Sequence, residues 1–342
     1  MGHVLAGDIG GTRARFALFD PDRKRVVHQE VFASRSMPTF EAALGRYLEG
    51  DARRHLGRSK LAAASFGIAG PVVEQRVRAT NLPWTIDGRE VARTFGIARV
   101  TLLNDLVAVG LGALAAPPSK LAVLQVGRPK KRGGNLAVIA AGTGLGEASF
   151  VWDGERHVAC ATEGGHTDFG PRSALEAELR EELSEGRGHV SYEDVVAGSK
   201  IAVLYRFLQR DKRIRESKDA AARVARAEDP NVAVVELAEQ RKSEVAVRAI
   251  ELWTSIYGAE AGNLALKCLA AGGVFVAGGV STRLAPVLAR GLRGGRGSPF
   301  LEAFVDKGPM RPLLEKVPVA VVLETRAGLL GAAAHAASVA RK

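Results

Sequence analysis

Three glycine-rich turns and one loop of carboxylates and imidazole are where this chain can do chemistry. The first is Gly7-Asp8-Ile9-Gly10-Gly11-Thr12, between the apolar runs Val4–Ala6 and Ala14–Phe19. Both runs predict strands, so the glycines belong to a hairpin turn. A Walker loop or a dinucleotide fingerprint would have a helix there instead. Glycines let a backbone approach a ligand closely and adopt positive φ, and successive N–H groups form a concavity for anions. Thr12 adds a hydroxyl donor. A carboxylate beside such donors makes sense if Mg²⁺ bridges Asp8 to phosphate, because that ion takes oxygen ligands and few carboxylates. An ordinary tight hairpin is the alternative. The second turn, Gly142-Thr143-Gly144 within Ala141–Gly146, again lies between predicted strands. Two such hairpins can hold one polyphosphate from both sides. The third, Gly278-Gly279-Val280-Ser281, leaves a strand and enters a helix, which suits close packing of a ring or phosphate.

The loop Thr162–Pro171 gathers Glu163, His166 and Asp168 among glycines. One histidine without a second at helical spacing argues against zinc. Hydrogen bonding to a polyol fits better, since carboxylate and imidazole accept from hydroxyls while glycines let a sugar lie against the backbone. A turn with a structural histidine is the alternative. Asn104-Asp105 follows the strand Arg99–Leu103, and in open α/β sheets the carboxyl ends of strands face the ligand crevice. Asp105 would otherwise simply cap the helix 106–114.

These residues need elements to position them. Three strands in meander, 4–6, 14–19 and 26–32, precede a helix over 39–56, and a buried strand over 61–69 follows. A short strand over 72–79, a helix over 87–95 and the strand before Asn104 complete an α/β unit. Pro117-Pro118 marks a boundary. Beyond it come strands over 121–126, 135–141, 148–152 and 155–160. Helices are predicted over 175–185, 192–197, 200–209, 219–227 and the long stretch 232–269. A buried strand, 273–277, a last strand, 317–323, and a small-residue helix, 327–340, close the chain. Gly328 and Gly331 in that helix suggest close packing at a domain seam.

With 342 residues, 46% apolar and 25% charged, the chain has the composition of a globular protein of two domains. The formal net charge of +11 is spread along the sequence. Its densest clusters, 128–132 and 290–296, lack interleaved aromatics, so no nucleic-acid partner is expected. Cys160 and Cys268 stand alone in apolar settings and are expected as core thiols in a reducing compartment. No run reaches the roughly 18 apolar residues of a membrane span, and the start lacks the features of a signal peptide. A cytoplasmic protein without a membrane partner is the expectation.

Seven segments in order carry a resemblance: Gly7–Thr12, Asn81–Trp84, Asn104-Asp105, Ala141–Gly146, Glu163–Phe169, Gly188–Glu193 and Ala277–Val280. Together the chain resembles the bacterial glucokinases, ATP:hexose kinases of the actin-like ATPase superfamily. The resemblance implies an α/β, two-domain actin-like (ribonuclease H-like) fold with an interdomain cleft. A small domain would span 1–116, completed by the C-terminal helix in 324–342, and a large domain 117–323. It implies transfer of the γ-phosphate of ATP to the 6-hydroxyl of glucose, with Asp105 as catalytic base. Asn104, Glu163, His166 and Glu193 would hold the sugar. The glycine segments would bind ATP, and Asp8 would orient Mg²⁺ through water. A homodimer is compatible with it. The chain departs from the family in three places: Arg13 stands where Asn is usual, the segment 81–84 takes its Leu-Pro form, and Ala197-Gly198-Ser199-Lys200 replaces Ser-Gly-Pro-Gly. The cysteine-rich zinc motif of the related repressors and N-acetylhexosamine kinases is missing. A kinase of a neighbouring hexose, a sugar sensor without catalysis and another actin-like ATPase are the competing classes.

Overall fold

A computed structural model describes residues 2–57, 60–128, 133–186, 188–292 and 297–341. The basic stretches 129–132 and 293–296 therefore lie outside the described residues. The chain divides into two compact units. One comprises Met1–Leu121, Ala159–Thr162 and Glu324–Lys342, the other Ala122–Val158 and Glu163–Leu323.

In the first unit the strands are β1 (Val4–Ile9), β2 (Arg13–Asp20), β3 (Arg25–Ala33), β4 (Ala64–Ile68), β5 (Arg76–Arg78), β6 (Thr85–Asp87) and β7 (Val100–Asn104). Five of them form a mixed sheet in the order β3-β2-β1-β4-β7, and β5 and β6 pair separately. The meander β1–β3 is antiparallel, whereas β4 and β7 add in parallel. Every residue of β4 is buried, as a strand covered on both faces requires, and its one polar side chain, Ser65, bonds His335 Nδ1 at 2.9 Å. One face carries a cluster of rings, Phe16, Phe40, Tyr47, Phe66 and Trp84. The other receives the C-terminal helix Ala327–Ala340, through Leu329, Ala332 and Ala333 against Ala6 and Ala17.

The small residues of that helix work inside this unit. A Cβ on Gly331 would fall 1.8 Å from the Ala108 carbonyl, and one on Gly112 would fall 2.0 Å from that of Ala327. The C-terminal helix and the helix Asp105–Ala115 thus touch backbone to backbone at Gly331, while Gly328 faces the Asp8 carboxylate.

The strands of the second sheet are β8 (Leu121–Gln125), β9 (Leu136–Ala141), β10 (Leu145–Trp152), β11 (His157–Thr162), β12 (Gly273–Ala277) and β13 (Val319–Val322). Their order is β11-β10-β9-β12-β13-β8. An antiparallel hairpin, β9–β10, again lies beside parallel strands, β12 and β13. The two sheets therefore share one plan, a hairpin beside parallel strands. The core centres on the helix Glu244–Lys267, which buries Ile250, Trp253, Ile256, Tyr257 and Leu264.

Several expected elements differ. The helix over 39–56 breaks at Gly50 into Phe40–Glu49 and Asp51–Leu56. The stretch 232–269 is two helices, Pro230–Glu239 and Glu244–Lys267, because Ser243 caps the second by accepting from the Ala246 N–H. The helix Pro299–Val305 and the strand β6 were not anticipated. Cys160 is exposed rather than a core thiol, because β11 is an edge strand whose alternation turns it outward. Among the described residues no helix is long and apolar enough to cross a membrane.

Candidate active site

In the first unit, β1 runs through Gly7, Asp8 and Ile9, so the turn proper is Gly10-Gly11-Thr12. Gly7 is a packing residue, since a Cβ there would sit 2.6 Å from the Phe66 ring. Ile9 is buried and can present only its main chain. Neither Gly10 nor Gly11 has positive φ; Gly11 instead admits Asn81, whose Cβ would lie 2.6 Å from its own. Ser34 braces the turn, donating from Oγ to the Gly10 carbonyl at 2.7 Å and from N–H to the Thr12 carbonyl at 3.0 Å. Thr12 and Arg13 are exposed.

Antiparallel pairing sets Asp8 opposite Arg15, and Arg15 Nη1 reaches Asp8 Oδ2 at 3.0 Å. Burial pushes the Asp8 carboxyl above its ordinary value, with the Arg15 guanidinium opposing. Oδ1 faces Gly328, where a Cβ would come within 3.2 Å. Among the described residues no group of three or more His, Cys, Asp or Glu gathers to hold a metal. A single carboxylate with a glycine cradle nevertheless fits Mg²⁺, whose shell is otherwise water and substrate phosphate.

Asn104 and Asp105 sit where β7 ends and the helix Asp105–Ala115 begins. The cap of this helix is Asn104, not Asp105. Asn104 Oδ1 accepts from the N–H groups of Leu106 at 2.9 Å and Val107 at 3.3 Å, and Nδ2 donates to the Gly70 carbonyl at 3.4 Å. Asn104 is buried at 6% exposure, with both ends of its amide engaged. Asp105, half-buried, stands one residue further on, with Oδ1 accepting from the Leu106 N–H at 3.0 Å.

In the second unit the expected residues converge on the Gly142–Leu145 turn. Glu193 Oε2 accepts from the Leu145 N–H at 2.8 Å. A Cβ on Gly144 would meet that same oxygen at 2.3 Å, so only glycine lets the carboxylate in. Gly165, between Glu163 and His166, lies against the Leu145 carbonyl, 2.0 Å from where its Cβ would be. Glu163 and His166 are exposed on this short 3₁₀ turn, whose Gly164 and Gly165 are buried. The carboxylate, the imidazole loop and the glycine turn thus share one residue, Leu145, as their support. Trp253 Nε1 donates to the Val196 carbonyl at 2.7 Å and fixes the helix Glu193–Val196 from behind.

Gly278 has φ of +95° and its Cβ would lie 2.2 Å from the Ala141 carbonyl, so glycine is required on both counts. Tyr257 ties this turn to the other: its hydroxyl accepts from the Ala141 N–H at 3.2 Å and bonds Ser281 Oγ at 3.1 Å. Gly142 and Gly279 face open space. Both line a cleft of about 310 Å³ with Thr143, Ser199, Asn231 and Arg283. The segment that departs from the family pattern forms one wall. Gly198 N–H donates to the Gly142 carbonyl at 2.9 Å, and Ser199 Oγ to the Thr143 carbonyl at 3.0 Å.

Sequence reasoning missed Asp229 and Asn231 at this cleft. Asp229 caps the helix Pro230–Glu239, and Asn231 Oδ1 accepts from the Ala202 N–H at 2.9 Å. The signal was available: Asp before Pro is a helix start, but these residues fall between the helices expected over 219–227 and 232–269. Arg15 was also missed, although a two-strand register places it across from Asp8.

A family model described as Glucokinase matches residues 5–339. The glucokinase of Synechocystis sp. is 38% identical, with 98% of each chain covered. The crystal structure of a glucokinase from an Antarctic psychrotroph is 30% identical and superposes with a TM-score of 0.80 over 99% of each chain. A ROK family glucokinase from Streptomyces griseus, solved with glucose and AMPPNP, shares the fold at a TM-score of 0.65 and 22% identity, covering 98% of this chain and 100% of its own.

Proposed function

The chain belongs to the glucokinase family, and from that premise we propose which residues carry its reaction. It is an ATP-dependent hexose kinase that phosphorylates glucose. In this reading the actin-like architecture brings Asn104 and Asp105 of the first domain, 1–116 with 324–342, and Glu163, His166 and Glu193 of the second, 117–323, to one glucose in an interdomain cleft. Asp105 takes the proton of the 6-hydroxyl. The oxygen then bonds to the γ-phosphorus of ATP while the bond from that phosphorus to the β–γ bridging oxygen breaks and ADP leaves. A positioned base of this kind contributes about 10²–10⁴-fold.

Asn104 acts chiefly by holding Asp105 at the first position of its helix, since its own amide is engaged as the cap. Gly10, Gly11, Thr12 and the turn Gly142-Thr143-Gly144 hold phosphates, and the cleft beside Gly278 and Gly279 takes the nucleoside. Asp8 is the residue that would hold Mg²⁺ through water, with Arg15 fixing its carboxylate. When bound, that ion neutralises phosphate charge. A cytoplasmic setting and a homodimer complete the reading; the free cysteines suit the former.

One observation supports it most directly: Glu193 bonds the main chain of the glycine turn, so the carboxylate assigned to the sugar and the turn assigned to phosphate are tied to each other. The test is ADP release with glucose and with 6-deoxyglucose. Turnover is expected with the first and not above the sugar-free rate with the second. Equal ADP release from both sugars would overturn the assignment of the accepting hydroxyl.

A further inference from the structure

Behind the His166 loop lies a buried polar chain that the reaction as described does not use. Glu260, on the helix Glu244–Lys267, is fully buried, and its carboxylate accepts from Asn263 Nδ2 at 2.8 Å and Lys267 Nζ at 3.1 Å. Glu147 of β10, 1% exposed, faces it, and its Oε1 has no hydrogen-bond partner among the described residues. Burial, then the Glu260 charge, push the Glu147 carboxyl up to about 8, with Lys267 opposing, so the neutral form of Glu147 is favoured at neutral pH.

From this group the chain of contacts runs to Tyr192. Asn263 Nδ2 donates to the Tyr192 hydroxyl at 3.1 Å and to Glu260 Oε2 at 2.8 Å, so one amide joins the two side chains. Tyr192 is 5% exposed, and its ring meets Phe169 edge to face at 5.5 Å between centroids. Its own N–H donates to the Thr167 carbonyl at 3.1 Å, and its carbonyl receives the N–H groups of Val195 and Val196. Tyr192 therefore grips the loop holding His166 at one end and the helix presenting Glu193 at the other. Two buried carboxyls and an ammonium stabilise a fold poorly compared with apolar residues of similar size. A satisfied network does fix geometry.

We propose that Glu260, acting through Asn263 and the Tyr192 hydroxyl, is a positioning residue for the sugar, holding the Glu163–His166 loop and Glu193 in fixed register. The inference rests on the reading that these residues hold glucose. Among the described residues the side chains of this network bond none of those lining the cleft beside Gly279, so its effect falls on sugar and not on nucleotide.

The experiment measures KM for glucose, KM for ATP and melting temperature in the full-length protein carrying Tyr192→Phe, Glu260→Gln or His166→Ala. Tyr192→Phe removes one oxygen from a buried site and is expected to raise the glucose KM roughly three- to tenfold while the ATP KM stays within about twofold. Glu260→Gln is expected to do the same; if it fails to fold, Tyr192→Phe still decides. A folded Tyr192→Phe whose glucose KM is unchanged, or whose two KM values rise equally, overturns the proposal. His166→Ala separates the two layers. If it leaves the glucose KM untouched, the underlying reading fails and the inference with it; if it raises that KM and Tyr192→Phe does not, the inference alone fails.

Discussion

An aspartate at the first position of a helix is pulled two ways, toward the main-chain N–H groups behind it and toward whatever lies in front. Asn104 resolves this by taking the capping role. Asp105 accepts from the Leu106 N–H at a helix end whose dipole favours the carboxylate. The amide Asp105→Asn keeps the shape and removes the proton acceptor. Turnover is expected to fall about 10²–10⁴-fold with both KM values within about threefold, read by ADP release against glucose and ATP in turn. A comparable rise in either KM, with turnover retained, would make Asp105 a binding residue.

At the scale of the element, the turn Gly142-Thr143-Gly144 has two glycines with different reasons to be there. A Cβ on Gly142 meets open space; one on Gly144 meets Glu193 Oε2, the end of a flexible side chain that can swing away. Neither substitution should change stability by more than about 1 kcal/mol. Gly144→Ala displaces the Glu193 carboxylate from Leu145 and is expected to raise the glucose KM roughly tenfold. Gly142→Ala crowds the space assigned to phosphate and should act on the ATP KM instead. Steady-state kinetics of the pair check this; the same KM moving in both variants would show that the turn does not separate the two substrates.

For the whole molecule, the buried pair Glu147 and Glu260 ties stability to pH. The groups facing Glu147 are Glu260 and Lys267 on the long helix, with the Tyr257 hydroxyl and Cys268 thiol also within its field. Its carboxyl rises from an ordinary 4.5 to about 8 on folding. The native state then binds more protons than the unfolded state between those values. Stability therefore falls as pH rises through that window and levels off above it, with one proton weighing up to about 1.4 kcal/mol per pH unit. Glu147→Gln carries a permanent N–H donor where the wild type needs a proton. Denaturant midpoints from pH 5 to 8.5 are expected to fall less for this variant than for wild type. Parallel slopes would show that the carboxyl ionises normally in the fold.

The sequence by itself determined the hairpins, the order of strands and helices, and the family, because alternation, glycine turns and ordered motifs are local signals. It located Glu193 only through resemblance, since a glutamate opening a helix looks like any solvated one. Tertiary structure decided what each residue touches. Gly7 of β1 admits Phe66 and Gly11 of the first turn admits Asn81, neither supplying positive φ, Gly331 meets the Ala108 carbonyl, and Asn104 rather than Asp105 caps its helix. Ser199 closes on Thr143 across 56 residues, and Tyr192 meets Asn263 across 71. Such contacts depend on which faces of distant elements are pressed together, and close packing fixes those faces only when the whole core forms.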